Sequence, residues 1–242
     1  MSLHARQIEV LKAVILQYRE NGIPVGSKCL DFDVSSATIR NDMSRLEQEG
    51  LIVKPHTSAG RVPTLEGYRL FVNNFVEEGM LVVRSGEEEI LLDEDNIYQA
   101  ISSISQKSNS IAFAVLDNNT TYYLGISHLL SHSDFRENLE NTSELISLLE
   151  TKHVFAKMIN EIEIQPGQIR IFVGLEKVLP VHINCSMMAV QFSTQNISGV
   201  IGVLGSVHMD YFQIAQILKE EIEKLQGGNT SPVLLNPGVE NI

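Results

Sequence analysis

The chain has 242 residues, enough for two domains, and its 43% hydrophobic and 20% charged residues are the balance of a globular protein. Its net charge of −12 excludes a uniformly basic nucleic-acid binder. The charge is uneven, however: residues 1–70 hold nine Lys/Arg against eight Asp/Glu, and residues 71–242 hold nine against twenty-two. Such asymmetry points to a near-neutral module followed by an acidic one. The first twenty residues alternate with helical period and show no signal-peptide pattern, and no apolar run is long enough to span a bilayer. Cys29 and Cys185 lie far apart without metal-type spacing, which predicts two reduced thiols in a cytoplasmic protein and no membrane association.

Ile8, Leu11, Val14, Ile15 and Tyr18 predict an amphipathic helix ending near Gly22. The turn Ile23-Pro-Val-Gly26 follows, and Ser27 is placed to cap a short second helix from Lys28 to about Phe32. The next stretch is the most informative. Ser35 is the N-cap of a third helix, Val34 and Ile39 have staple spacing, and Gly50 ends it. Ile39, Met43 and Leu46 make one apolar stripe. Ala37, Asn41, Ser44 and Gln48 project opposite, flanked by Thr38, Arg40 and Arg45. Such a face is equally that of an ordinary surface helix. It also suits a helix entering the major groove: small residues allow close approach, Asn pairs with adenine edges, and Arg reaches guanine or phosphate.

The neighbours favour the second reading. Leu51-Ile-Val53 and Arg61-Val62 predict two short strands around the polar turn 54–60. Three helices and a hairpin make a winged helix-turn-helix, whose hairpin lies along the phosphates beside the reading helix. The predicted DNA-contacting residues are Ser27, Lys28, Ser35, Ser36, Thr38, Arg40, Asn41, Ser44 and Arg45, with Lys54, His56, Thr57, Ser58 and Arg61 on the wing. Thr64 caps another helix, whose stripe of Leu65, Tyr68, Val72, Phe75 and Val76 must be buried on this module or on a second subunit.

Residues 1–76 are thus expected to form the DNA-binding domain. From 77 to 109 the pattern weakens, and Glu87-Glu-Glu89 and Asp93-Glu-Asp95 read as a solvated linker rather than a catalytic carboxylate pair. A second domain is expected over 110–226. Its strands are 111–116, 122–124, 169–173, 186–192 and 199–204, with one or two helices between 145 and 162 and a closing helix through Tyr211, Ile214, Leu218, Ile222 and Leu225. The order indicates an α+β domain rather than a doubly wound sheet, and 227–242 a mobile tail.

Several long motifs resemble those of a known family, the heat-inducible transcription repressors HrcA. They are Pro24-Val-Gly-Ser-Lys28, Val34-Ser-Ser-Ala-Thr-Ile-Arg-Asn-Asp-Met43, Leu46-Glu-Gln-Glu-Gly50, His56-Thr-Ser-Ala-Gly-Arg-Val-Pro-Thr64 and Gly67-Tyr-Arg69. In the second domain they are Leu124-Gly-Ile-Ser-His-Leu-Leu130, Asp134-Phe135 and Gly202-Val-Leu-Gly-Ser-Val-His-Met-Asp-Tyr211. The resemblance implies a GAF-like regulatory and dimerisation domain, and a homodimer that represses chaperone genes from an inverted-repeat operator on double-stranded DNA. It also implies the GroE chaperonin as modulator. Family members usually carry a long insert within the second domain that contributes to dimerisation. Here the connection is only the turn 117–120, which leaves the stripe 65–76 and the apolar strands as surfaces for a dimer.

No enzymatic site, cofactor or metal is expected. His128 and His132 sit at i, i+4 without a third ligand nearby, and Cys185 has His182 close in sequence without an oriented base. Gly199, Gly202 and Gly205 lie in an apolar run, which suits close strand packing rather than a phosphate cradle. A bifunctional enzyme–repressor would need a nucleotide-binding loop and a phosphate-holding lysine, and neither is present. The remaining alternative is a winged-helix regulator gated by a small molecule in its second domain.

Overall fold

A computed structural model describes residues 3–56, 59–76, 83, 91–175 and 184–227. The first helix, α1 (Ala5–Asn21), buries Val10, Leu11, Val14 and Ile15 and stops at Gly22, which has φ 64°. The short helix expected from Lys28 to Phe32 does not form. Residues 27–30 make a turn, with the Cys29 amide donating to the Gly26 carbonyl at 3.0 Å. A helical nucleus fixes several dihedrals for each bond gained. Here nothing offsets that cost, because Leu30 and Phe32 already reach the core without a helix.

The helix α2 (Ser36–Gln48) forms as its sequence predicts. Ser35 accepts from the Thr38 amide at 3.2 Å, Gly50 has φ 75°, and Ile39, Met43 and Leu46 are buried. Val34 stays 38% exposed, so its side of the expected staple remains in solvent. The hairpin follows as β1 (Ile52–Val53) and β2 (Val62–Pro63), antiparallel, with Ile52 opposite Pro63. Thr64 caps α3 (Leu65–Phe75) by accepting from the Gly67 amide. The third helix of the module therefore comes after the wing, not before it.

The α3 stripe is buried within the chain. Tyr68, Phe71, Val72 and Val76 are covered, and Phe71 meets Phe212 edge-on at 6.0 Å. One surface expected for a dimer is therefore used internally.

The expected linker 77–109 also needs correction, because residues Glu94–Ser108 form a helix, α4. Ile97, Ala100, Ile101 and Ile104 give it a buried face at i, i+3, i+4, i+7. Asp93 and Asn96 close a capping box, and the 93–95 acids sit where the helix dipole favours negative charge. Glu87–Glu89 lie outside the described residues, as does the expected tail from 228 onward.

The second domain is built on an all-antiparallel sheet in the order β4-β3-β7-β6-β5. Its strands are β3 (Ile111–Leu116), β4 (Thr121–Leu124), β5 (Ile169–Val173), β6 (Cys185–Ser193) and β7 (Ser198–Ser206). This is the α+β class, and the sequence strands match within a residue or two. Both sheet faces are filled. Along β3, Ala112, Ala114 and Leu116 join the core shared with α4 and the closing helix α9 (Tyr211–Leu225). Ile111, Phe113 and Val115 point the other way, into a core completed by Leu129, Phe135, Leu145, Leu149, Phe155 and Ile159. Those six come from α5 (Ile126–Leu129), α6 (Ser133–Glu137), α7 (Leu139–Glu150) and α8 (Lys152–Asn160). The central strands' apolar faces are thus not free for a second subunit either. Gly202 does serve close packing: a Cβ there would lie 2.5 Å from the Phe113 ring and 2.6 Å from the Met188 carbonyl oxygen.

A polar seam joins the two halves. Arg19 of α1 pairs with Asp210 at 3.1 Å, and Arg69 of α3 donates to the Val173 carbonyl at 2.9 Å. At its centre His208 Nδ1 lies 2.7 Å from the Tyr68 hydroxyl, with Tyr18 edge-on to the same ring at 5.3 Å. The other ring nitrogen faces Asp134 at 3.5 Å, and Asp134 accepts from Ser206 at 2.5 Å. Burial lowers the His208 pKa, Asp134 pulls it back up, and His132 adds to the lowering. Burial likewise raises the Tyr68 pKa, so its hydroxyl keeps its proton, and it donates to Nδ1 in the neutral tautomer whose Nε2–H points to Asp134.

Candidate nucleic-acid interface

The outer face of α2 is held by what its inner face does. Besides the apolar stripe, Asp42 is buried and accepts from Arg6 Nε of α1 at 2.7 Å. This leaves Ser35, Ser36, Ala37, Arg40, Asn41 and Gln48 exposed, with Thr38, Ser44 and Arg45 partly so. The hydroxyls of Ser35 and Thr38 lie 3.0 Å apart in the cap, and Ser44 donates back to the Arg40 carbonyl at 2.9 Å. Arg45 is paired with Glu49 at 2.7 Å. Of the predicted helix residues, Ser36, Arg40 and Asn41 therefore project with the fewest internal commitments.

Ser27 and Lys28 come from the turn that precedes α2, with Lys28 exposed and Ser27 half-buried. On the wing, Lys54 and His56 are exposed, whereas Thr57 and Ser58 lie outside the described residues. Arg61 differs from the rest. Its side chain is only 12% exposed and its Nη2 donates to Glu47 of α2 at 3.0 Å. Glu47 did not stand out in the sequence, because one acid near a helix C-terminus is unremarkable until its partner is known.

The electrostatics sharpen the picture. Arg6, Lys12, Arg19, Arg45, Arg61 and Arg69 each have an acidic partner within 4 Å. Among the described residues, Lys28, Arg40 and Lys54 are the cations of the first 70 positions with no ion-pair partner. All three belong to the predicted face. A cation without an internal partner keeps its full charge for a phosphate, whereas a paired one must first be released.

No comparable site arises around the second cysteine. Cys185 is fully buried, and burial pushes its thiol up to about 12, far from a nucleophilic thiolate. Its expected neighbour His182 lies outside the described residues. Among the described residues no helix is long and apolar enough to cross a membrane.

Both parts of the chain match known protein families. Residues 69–215 match the family described as HrcA protein C terminal domain, and residues 23–63 match the DeoR-like helix-turn-helix domain. A heat-inducible transcription repressor HrcA from Lachnoclostridium phytofermentans is 40% identical over 110 residues, covering 44% of this chain and 32% of that protein. Its counterpart from Pseudarthrobacter chlorophenolicus is 60% identical over 72 residues, 28% of this chain and 21% of that one. The matched stretches thus span about a third or less of these relatives' length. A crystal structure of a hypothetical protein at 2.2 Å has the same fold: its TM-score is 0.74 at 17% identity, covering 93% of this chain and 97% of the other.

Proposed function

The chain belongs to the HrcA family, and from that premise we propose that it is a DNA-binding repressor of heat-shock genes, without enzymatic activity, acting in the cytoplasm. The observation that carries this reading is that Lys28, Arg40 and Lys54, which have no ion-pair partner among the described residues, are all exposed, as are Ser36 and Asn41. Arg40 and Asn41 approach base edges from α2. Lys28 and Lys54 hold phosphates on either side of it, and Ser27, His56, Thr57 and Ser58 extend that backbone contact. Ser35, Thr38, Ser44 and Arg45 line the approach while keeping the helix end and turns in place.

One such module covers only a few base pairs, too little to single out a site among many competitors. The proposal therefore includes a homodimer on an inverted repeat and, as the family resemblance implies, modulation by GroE. The names of the matched relatives, heat-inducible transcription repressors, support the assignment of target class.

The test is selection of a duplex from a random-sequence pool by the full chain, followed by gel-shift titration. Asn41→Ala is expected to cost about 1–3 kcal/mol on the selected duplex and to relax base preference at one position per half-site. Equal affinity of wild type and variant for selected and scrambled duplexes would remove α2 from the major groove.

A further inference from the structure

We infer that Arg61 and Glu47 form a positioning brace that sets the wing against the reading helix, and that Arg61 is not itself a phosphate contact. The inference rests on the DNA-binding reading above. Its starting point is where the guanidinium goes. Arg61 sits at the base of the wing, where the return strand begins, and its side chain turns inward to Glu47, one residue before the end of α2. Its Nε is buried without a hydrogen-bond partner among the described residues, so the group gives up solvation to reach Glu47. A residue meant for phosphate would keep its guanidinium in water until DNA arrived.

The backbone around Arg61 is fixed as firmly. Its amide and carbonyl exchange hydrogen bonds with Val25, both at 2.8 Å, adding a third strand-like rung to the hairpin. Gly60 packs so closely that a Cβ would lie 2.5 Å from the Val25 carbonyl. The return strand is thus stitched on one side to the turn leading into α2 and on the other, through Arg61 and Glu47, to the end of α2. Lys54 and His56 project from the wing so held, and the spacing between their phosphates and the groove entered by α2 is set by this brace. Both partners carry charge, and their neutralisation leaves no net charge at the wing base for steering.

A brace and a phosphate contact predict different salt behaviour. Loss of a phosphate contact lowers the slope of log affinity against log salt by about 0.9, and weakens all duplexes alike. Loss of a brace misplaces other contacts and leaves that count nearly unchanged. The experiment measures binding of the full-length protein to the duplex it selects from a random pool, across a salt series, for wild type, Arg61→Met, Glu47→Gln and the charge-swapped double variant Glu47→Arg/Arg61→Glu. Thermal unfolding of each variant reports folding. Both single variants are expected to lose affinity by about tenfold, the loss of one charge-assisted bond, at an unchanged slope. The swapped pair should recover most of that loss while carrying no cation at position 61. A slope lowered by about one unit in Arg61→Met, with Glu47→Gln binding as well as or better than wild type, overturns the proposal alone. A wild type that enriches no duplex overturns the DNA-binding reading together with it.

Discussion

The seam around His208 makes a prediction whose size follows from its geometry. Replacing Tyr68 by Phe keeps the ring packed but deletes the hydroxyl that donates to His208 Nδ1 at 2.7 Å. The imidazole is only 27% exposed, so that nitrogen is left without a partner and with little access to water. An unsatisfied acceptor of this kind costs about 1–3 kcal/mol. In a chain of this size each kcal/mol lowers the melting temperature by roughly 2–4 °C, so Tyr68→Phe should melt about 2–12 °C lower by calorimetry at pH 8. A second arm uses pH. The native state holds His208 neutral because burial lowers its pKa, whereas the unfolded chain protonates it near its ordinary value of about 6.5. Below that value the unfolded state binds more protons, so stability rises with pH and is lost on acidification towards the lowered native pKa. His208→Gln should flatten this acid loss relative to wild type. An unchanged melting temperature in Tyr68→Phe, or a wild-type acid loss in His208→Gln, would refute the seam as described.

Three further outcomes are expected. Lys54→Met should weaken binding to every duplex alike and lower the salt slope by about 0.9, as read in a salt titration; an unchanged slope would take the wing tip off the phosphates. Glu221→Gln should cost about 1–2 kcal/mol in urea unfolding at neutral pH, because burial opposes its charge but bonds from Lys107, Lys224 and Ser103 outweigh that and hold its pKa below the ordinary value. That contribution is present above the unfolded carboxylate pKa and is lost as pH falls through the native one, so wild type and variant should converge in acid. Sedimentation of the full chain should show a concentration-dependent dimer, and a chain that stays monomeric even on its selected duplex would exclude the inverted-repeat arrangement.

What was legible in the sequence was whatever depends on local periodicity and caps. Ser35, Gly50 and the Ile39–Met43–Leu46 stripe define α2 without help from the rest of the chain, and Ile111–Leu116 is a strand on composition alone. The segment 28–32 failed in the other direction: a capping serine and two apolar residues are local signals, but Leu30 and Phe32 are satisfied by tertiary contact in an irregular turn. The helix at 94–108 was obscured because its acidic N-terminus resembles a solvated linker, although the dipole and capping box explain those same acids. Arg61 shows the limit of reading a site from residue type. Whether a cation faces a phosphate or a carboxylate depends on Glu47, fourteen positions away and on another element.

Charge pairing also changes what the net charge means. A total of −12 says little about binding when six of nine cations in the first 70 residues are paired locally and the other three are exposed without an ion-pair partner among the described residues. The paired ones do a different job, visible in α1. Near its start Arg6 holds Asp42 of the reading helix. Near its end Arg19 holds Asp210, beside Tyr18 on His208. At about 1.5 Å per residue, the 13 steps from Arg6 to Arg19 span roughly 20 Å. The helix α1 is therefore a strut whose one end holds α2 and whose other end holds the second domain. If two chains pair on an inverted repeat, the distance between their reading helices is set by this strut and the seam as much as by the dimer contact itself. Weakening the Arg19–Asp210 end should then alter tolerance for half-site spacing before it alters affinity for a single half-site.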